Sequence, residues 1–170
     1  ILAINGTSVS GQGLGKEEIW DIWKETKADF HMDVLPSASN HTQKFNVTKG
    51  TIKVPSVPVS ELLQEGEGYL KITRFAKGTY TQFMQGLEKL VDQGAKNLVI
   101  DVRNNPGGSL QEVVKILDQL VNEKDALLLY TKGEKTKRQE YRSTGRVFHR
   151  LNDIVVLVNE HSVSASEVLA

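Results

Sequence analysis

Two short segments carry residue types at spacings that suit nucleophilic chemistry. The first, His161-Ser162-Val163-Ser164-Ala165-Ser166-Glu167, follows a wholly apolar run at 154–158 and precedes a helical start. A serine at such a strand-to-helix turn exposes its hydroxyl, and the N–H of the next residue can help hold an oxyanion. The same residues also fit a helix cap, because Ser164 with Glu167 three positions on matches a capping box, which needs no catalysis. With three serines present, spacing alone leaves the nucleophile open. The second segment, Asp101-Val102-Arg103-Asn104-Asn105-Pro106-Gly107-Gly108, lies between the apolar run Leu98-Val99-Ile100 and a helical pattern. Its paired glycines let backbone N–H groups approach a ligand with no side chain intervening. The N–H groups of the following helix start favour negative charge in the same space. An oxyanion hole or a phosphate cradle can be built this way, and so can a simple turn shaped by Pro and Gly.

The elements that must position these segments alternate in type. A short strand is expected at Tyr69 to Ile72. Tyr80, Phe83, Met84, Leu87, Leu90 and Val91 then fall at helical spacing, with Gly94 as a C-terminal cap. A buried strand follows at Leu98 to Ile100, and Leu110, Val113, Val114, Leu117 and Leu120 give a second helical stripe. Ala126 to Tyr130 and Ile154 to Val158 read as further strands, the latter fully apolar and buried, with a polar arm rich in lysine and arginine at Lys132 to Arg142 between them. Strands separated by helices argue for an α/β fold with a largely parallel sheet. Such sheets gather their sites at the carboxyl ends of the strands, where both segments lie.

The first fifty residues differ. Ile1 to Ile4 is strand-like and meets the turn dipeptide Asn5-Gly6. A Gly-rich loop from Gly11 to Gly15 leads into a helix carrying Ile19, Trp20, Ile22 and Trp23, with one tryptophan expected in the core and the other left open. Alternation at Phe30, Met32 and Val34, and again at Phe45 and Val47, predicts half-buried strands. Pro55 and Pro58 mark an inter-domain crossing within residues 52–66.

Composition narrows the function classes. The 170 residues hold 39% hydrophobic and 25% charged residues, ordinary for a chain that buries a core. Basic and acidic residues balance at 21 each, so no charge excess points to nucleic acid or an acidic membrane. The absence of cysteine excludes disulfides, thiolate metal sites and a cysteine nucleophile. The four histidines show no metal-ligand spacing with acidic neighbours, and no metal or cofactor is predicted. Three Asn-x-Thr matches, at Asn5, Asn40 and Asn46, are weak signals. The chain opens inside a strand-like run and closes on Glu167 to Ala170 inside a helical turn, as expected of an internal segment of a longer protein.

Taken together, the two chemistry-bearing segments resemble the C-terminal processing, or tail-specific, serine peptidases. In that family a strand ends in a D-x-R-x-N-P-G-G loop, and a later V-L-V-N-E strand leads to S-x-S-A-S-E. Here these stand as Asp101 to Gly108, Val156-Leu157-Val158-Asn159-Glu160, and Ser162 to Glu167. Gly66 to Ile72 is similar to the first strand of the family's catalytic core, and Ile1 to Gly6 to the later half of its PDZ domain.

The resemblance implies an incomplete crotonase- or ClpP-like peptidase core with a partial PDZ domain at the N-terminus. Residues 1–51 would be the end of the PDZ domain, 52–66 a linker, and 67–170 part of the core. Ser164 matches the family nucleophile, and the N–H of Ala165 with one from Gly107 or Gly108 matches the oxyanion donors. The base would be a lysine in a downstream G-K-G motif, beyond Ala170, so this chain alone is expected to be inactive. The resemblance further implies a periplasmic or otherwise extracytoplasmic enzyme whose substrates are proteins or peptides with a free C-terminus. His161 stands where the family usually has a small residue and suggests a Ser–His pair, although no orienting carboxylate is evident. A non-catalytic ligand- or peptide-binding protein on the same core is the alternative.

Overall fold

The computed structural model describes residues 1–52, 54–134 and 137–170, and the backbone alone of Glu65. Lys135 and Thr136 of the polar arm and Lys53 of the expected crossing lie outside the described residues. The chain divides into two compact units, residues 1–53 and 54–170.

In the first unit, β1 (Ala3–Ile4) and β2 (Thr7–Ser8) form a hairpin closed by Asn5 and Gly6, both at positive φ (48° and 83°). Helix α1 (Lys16–Glu25) connects to β3 (Asp29–Val34), which pairs with β4 (Gln43–Thr48). The antiparallel sheet has the order β2-β1-β3-β4. Its core is small: Ile4, Val9 and Phe30 are buried, with Ile19, Ile22, Trp23, Met32 and Val47 packed against them. The two tryptophans answer the open question unequally. Trp23 joins the core, whereas Trp20 stacks on it at 4.5 Å and stays 52% exposed. Phe45, expected on a half-buried strand, is also largely exposed.

The second unit is an α/β layer. Its sheet runs β10 (Ile154–Leu157), β7 (Asn97–Asp101), β6 (Glu67–Lys71), β5 (Val59–Leu62). The first three strands are parallel and β5 is antiparallel to β6. Residues 52–66 were expected as a crossing, but Val59–Leu62 is an edge strand of this sheet, registered against Gly68–Lys71. Pro55 and Pro58 stand just before the strand, where a missing N–H costs no ladder bond.

Helices α2 (Thr79–Asp92) and α3 (Leu110–Leu120) cover one face. Leu70, Leu98 and Ile100 from the strands meet Phe83, Leu87 and Leu90 of α2 and Val113 and Ile116 of α3 in one buried cluster. Each such burial is worth about 1.5–3 kcal/mol. Helix α2 approaches β6 closely, since a side chain at Gly86 would come within 2.7 Å of Leu70 Cδ2. Its end follows the expected cap: Gly94 at φ 96° lets its own N–H and that of Ala95 bond to Val91 and Leu90. Its start is held from outside by buried Glu112 of α3, whose carboxylate accepts the Tyr80 N–H at 2.8 Å.

The strand expected at Ala126 to Tyr130 is β8 (Leu127–Thr131), which pairs only with β9 (Gln139–Arg142) among the described residues, in a separate two-stranded sheet. The strand before the serine segment also departs from expectation. Its apolar composition implies burial, yet β10 is a sheet edge with Val155 51% exposed, because among the described residues only β7 pairs with it.

Candidate active site

Parallel strands β6, β7 and β10 end side by side, and the two chemistry-bearing segments leave from β7 and β10. The stem of the first is fixed by charge. Asp101, with no exposure, accepts hydrogen bonds from Tyr69 Oη (2.6 Å), Lys71 Nζ (3.1 Å), Arg103 Nε (3.0 Å) and Nη2 (2.8 Å), and the Arg103 N–H (2.8 Å). Burial by itself would raise its pKa. The Arg103 guanidinium, with Tyr69 and Lys71, outweighs burial and holds the carboxyl well below the usual carboxylate range. Burial, reinforced by that carboxylate, pushes the Tyr69 phenol up.

Beyond Asp101 the loop is stitched to the serine segment at several points. Asn104, at φ 62°, donates its N–H to Asn159 Oδ1, and Asn159 Nδ2 donates back to Asn104 Oδ1, both at 2.9 Å. The carbonyl of buried Asn105 accepts the Val163 N–H at 3.2 Å and the Ser166 hydroxyl at 3.0 Å. The Ser162 hydroxyl donates to the Val102 carbonyl at 2.8 Å and accepts the Asn159 N–H at 3.0 Å.

These bonds separate the three serines that spacing left equivalent. Ser162 and Ser166 are buried with their hydroxyls committed to the backbone, while Ser164 is exposed. Ser164 has φ 57° and ψ −116°, a conformation L-residues rarely adopt. It stands immediately before the short helix α4 (Ala165–Leu169). The capping description accounts for its backbone but not for its side chain. The Glu167 carboxylate accepts the Ser164 N–H and the Glu167 N–H bonds to the Ser164 carbonyl, while the hydroxyl has no hydrogen-bond partner among the described residues. A strained residue with an uncommitted hydroxyl at a strand-to-helix turn suits a nucleophile.

The glycine pair lies against this turn. A side chain on Gly107 would come within 2.7 Å of the Val163 carbonyl, 2.8 Å of Ser164 Cβ and 2.9 Å of Ala165 N, so only glycine fits. A side chain on Gly108 would overlap the Phe75 carbonyl. Phe75 braces the loop, its N–H donating to Gly107 O at 2.9 Å and its carbonyl accepting the Ser109 N–H at 2.7 Å. Of the backbone donors named from sequence, the Gly107 N–H is already given to Asn105 Oδ1 at 2.8 Å. Among the described residues the N–H groups of Gly108 and Ala165 have no partner. His161 is exposed, its imidazole 3.6 Å from Glu160, with no hydrogen bond to Ser164 among the described residues. Asn105, Asn159 and Phe75 were not singled out from sequence. An Asn two residues before a Gly is an Asx-turn signal that would have flagged Asn105.

Residues 66–170 match the model of peptidase family S41, and the chain belongs to that family. Over its full length it is 30% identical to a carboxyl-terminal-processing protease of Synechocystis, of which it spans 40%, and 30% identical to the carboxy-terminal processing protease CtpB of Bacillus subtilis, of which it spans 35%. The solved photosystem II D1 C-terminal processing protease superposes on 99% of the chain with a TM-score of 0.58 at 26% identity, the chain covering 46% of it.

Proposed function

We propose that this chain supplies the nucleophile and oxyanion hole of a serine endopeptidase that cleaves proteins near a free C-terminus. The observation that carries the reading is Ser164, exposed and strained, its hydroxyl without a hydrogen-bond partner among the described residues, lying against Gly107 and next to the Ala165 N–H, itself without a partner among them. In this reading the Ser164 oxygen attacks a substrate carbonyl carbon while its proton passes to a neutral lysine outside these 170 residues. The N–H groups of Gly108 and Ala165 receive the oxyanion, each donor of this kind contributing about 10²–10³ in rate. Collapse expels the amine, which takes the proton from the lysine. Water then adds to the acyl-enzyme and gives a proton to the lysine, and collapse of this second adduct breaks the ester bond, freeing the new C-terminal acid while the Ser164 oxygen takes the proton back from the lysine.

Within the same reading, residues 1–51 form the later part of a PDZ domain, residues 67–170 part of a crotonase-like core, and the enzyme acts outside the cytoplasm on unfolded or tagged proteins. A cleft of about 920 Å³ along α1, lined by Ile4, Ile19, Trp20, Trp23 and Met32, supports a peptide-binding role for the first unit. The isolated chain, without its base, is inactive in this account. The test is cleavage of peptides with free and amidated C-termini by a full-length form of the protein and by its Ser164→Ala variant. Cleavage that prefers the free terminus and vanishes in the variant supports the proposal, and cleavage that survives the variant rejects it.

A further inference from the structure

The geometry points to Asn105 as a positioning residue for the oxyanion hole, a role that rests on the peptidase reading above. Asn105 is fully buried, although nothing in a strand-to-helix turn requires a buried amide. Every polar group it owns has a partner in a different part of the site. Its Nδ2 donates to the Ile72 carbonyl at 2.9 Å, just past the end of β6. Its Oδ1 accepts the Gly107 N–H at 2.8 Å, closing an Asx turn over Pro106. Its N–H donates to the Val102 carbonyl at 3.1 Å, and its carbonyl receives Val163 and Ser166. One residue thus joins the end of β6, the glycine loop and the serine turn.

The Asx turn decides which backbone donor serves the site. Gly107 lies closest to Ser164, so its N–H would be the first candidate for the oxyanion. Engaged by Asn105 Oδ1, that N–H is not free for an oxyanion, and in this account the following peptide, after Gly107 at φ 90°, supplies the Gly108 N–H instead. Phe75 engages the Gly107 carbonyl and the Ser109 N–H on either side, and among the described residues the Gly108 N–H between them has no partner. Asn105 does not touch substrate in this account. It sets the peptide that does.

The test uses a full-length form of the protein with Asn105→Ala and Asn105→Ser, measuring KM for a cleaved peptide and the inhibition constant of a matched peptide aldehyde. The aldehyde adds to Ser164 to give a tetrahedral adduct whose oxygen needs the hole, whereas KM reports ground-state binding. Both are properties of folded molecules, so a variant that is partly unfolded still gives an interpretable value. Asn105→Ala is expected to weaken the aldehyde about 100-fold, as for loss of one donor, with KM within about threefold. Asn105→Ser, whose hydroxyl closes the same turn more weakly, is expected to fall between wild type and Asn105→Ala. Unchanged aldehyde inhibition in the folded fraction of either variant, or an equal rise in KM, overturns the role. Inhibition and cleavage that survive Ser164→Ala would overturn Ser164 as the nucleophile on which this role rests, a separate outcome.

Discussion

Gly107→Ala tests the close approach on which the site depends, and Gly78→Ala is its internal control. The two glycines share nearly the same backbone angle, φ 90° and 91°. Either alanine therefore carries the strain of an L-residue in that region, about 1–2 kcal/mol. At Gly78 the new methyl meets nothing within 4 Å. At Gly107 it meets Val163 O, Ser164 Cβ and Ala165 N at 2.7, 2.8 and 2.9 Å, none of them the far end of a flexible side chain. Overpacking of this kind adds about 1–3 kcal/mol. The expected losses are about 1–2 kcal/mol for Gly78→Ala and about 2–5 kcal/mol for Gly107→Ala, read from urea unfolding. Relief of the clash moves the serine turn away from the loop, and a displacement of about 1 Å at a reacting group costs on the order of 100-fold in rate. Cleavage per folded molecule should therefore collapse in Gly107→Ala and persist in Gly78→Ala. Equal destabilisation by the two substitutions, or full activity in folded Gly107→Ala, would refute the reasoning.

Neighbouring contacts of the site set further outcomes. Ser162→Ala removes both a donor to Val102 O and an acceptor for Asn159 N, and should cost about 1–3 kcal/mol. Ser166→Ala leaves Asn105 O still bonded to Val163 N and should cost about 1 kcal/mol, with cleavage persisting in both variants. Asp101→Asn should destabilise by about 2–3 kcal/mol at neutral pH, toward the low end for a broken buried pair because Lys71 and Arg103 are 29% and 49% exposed. Since the folded pKa of Asp101 is depressed, its contribution is complete above the ordinary aspartate value of about 4 and is lost as pH falls further. The stability gap between wild type and Asp101→Asn, followed by urea titration from pH 7 to pH 3, should hold steady and then narrow below about pH 4.

The parts of the fold that were legible are those whose signal is local. The stripes of α2 and α3 and the apolar run of β7 declare their period or composition within a dozen residues, and the two loops follow from them. Strand β5 was hidden because its four residues follow two prolines and show their role only through pairing with β6. The exposure of β10 was equally illegible: the five apolar residues 154–158 read as buried, but burial depends on neighbours elsewhere in the chain. At the site, spacing alone left three serines equivalent, and only the family resemblance singled out Ser164 among them. In the fold the distinction rests on hydroxyls engaged some sixty positions away, at Val102 and Asn105. The competition for the Gly107 N–H is likewise a property of three-dimensional hydrogen bonding, although the Asn-Pro-Gly spacing hinted at it.

The most direct measurement is covalent labelling of a full-length form of the protein with a fluorophosphonate that reacts with activated serines, followed by proteolysis and mass spectrometry. The account predicts a single adduct on Ser164, lost in Ser164→Ala and unaffected by Ser162→Ala or Ser166→Ala. An adduct on Ser162, Ser166 or His161, or peptide cleavage by a folded protein whose Ser164 stays unmodified, would contradict it.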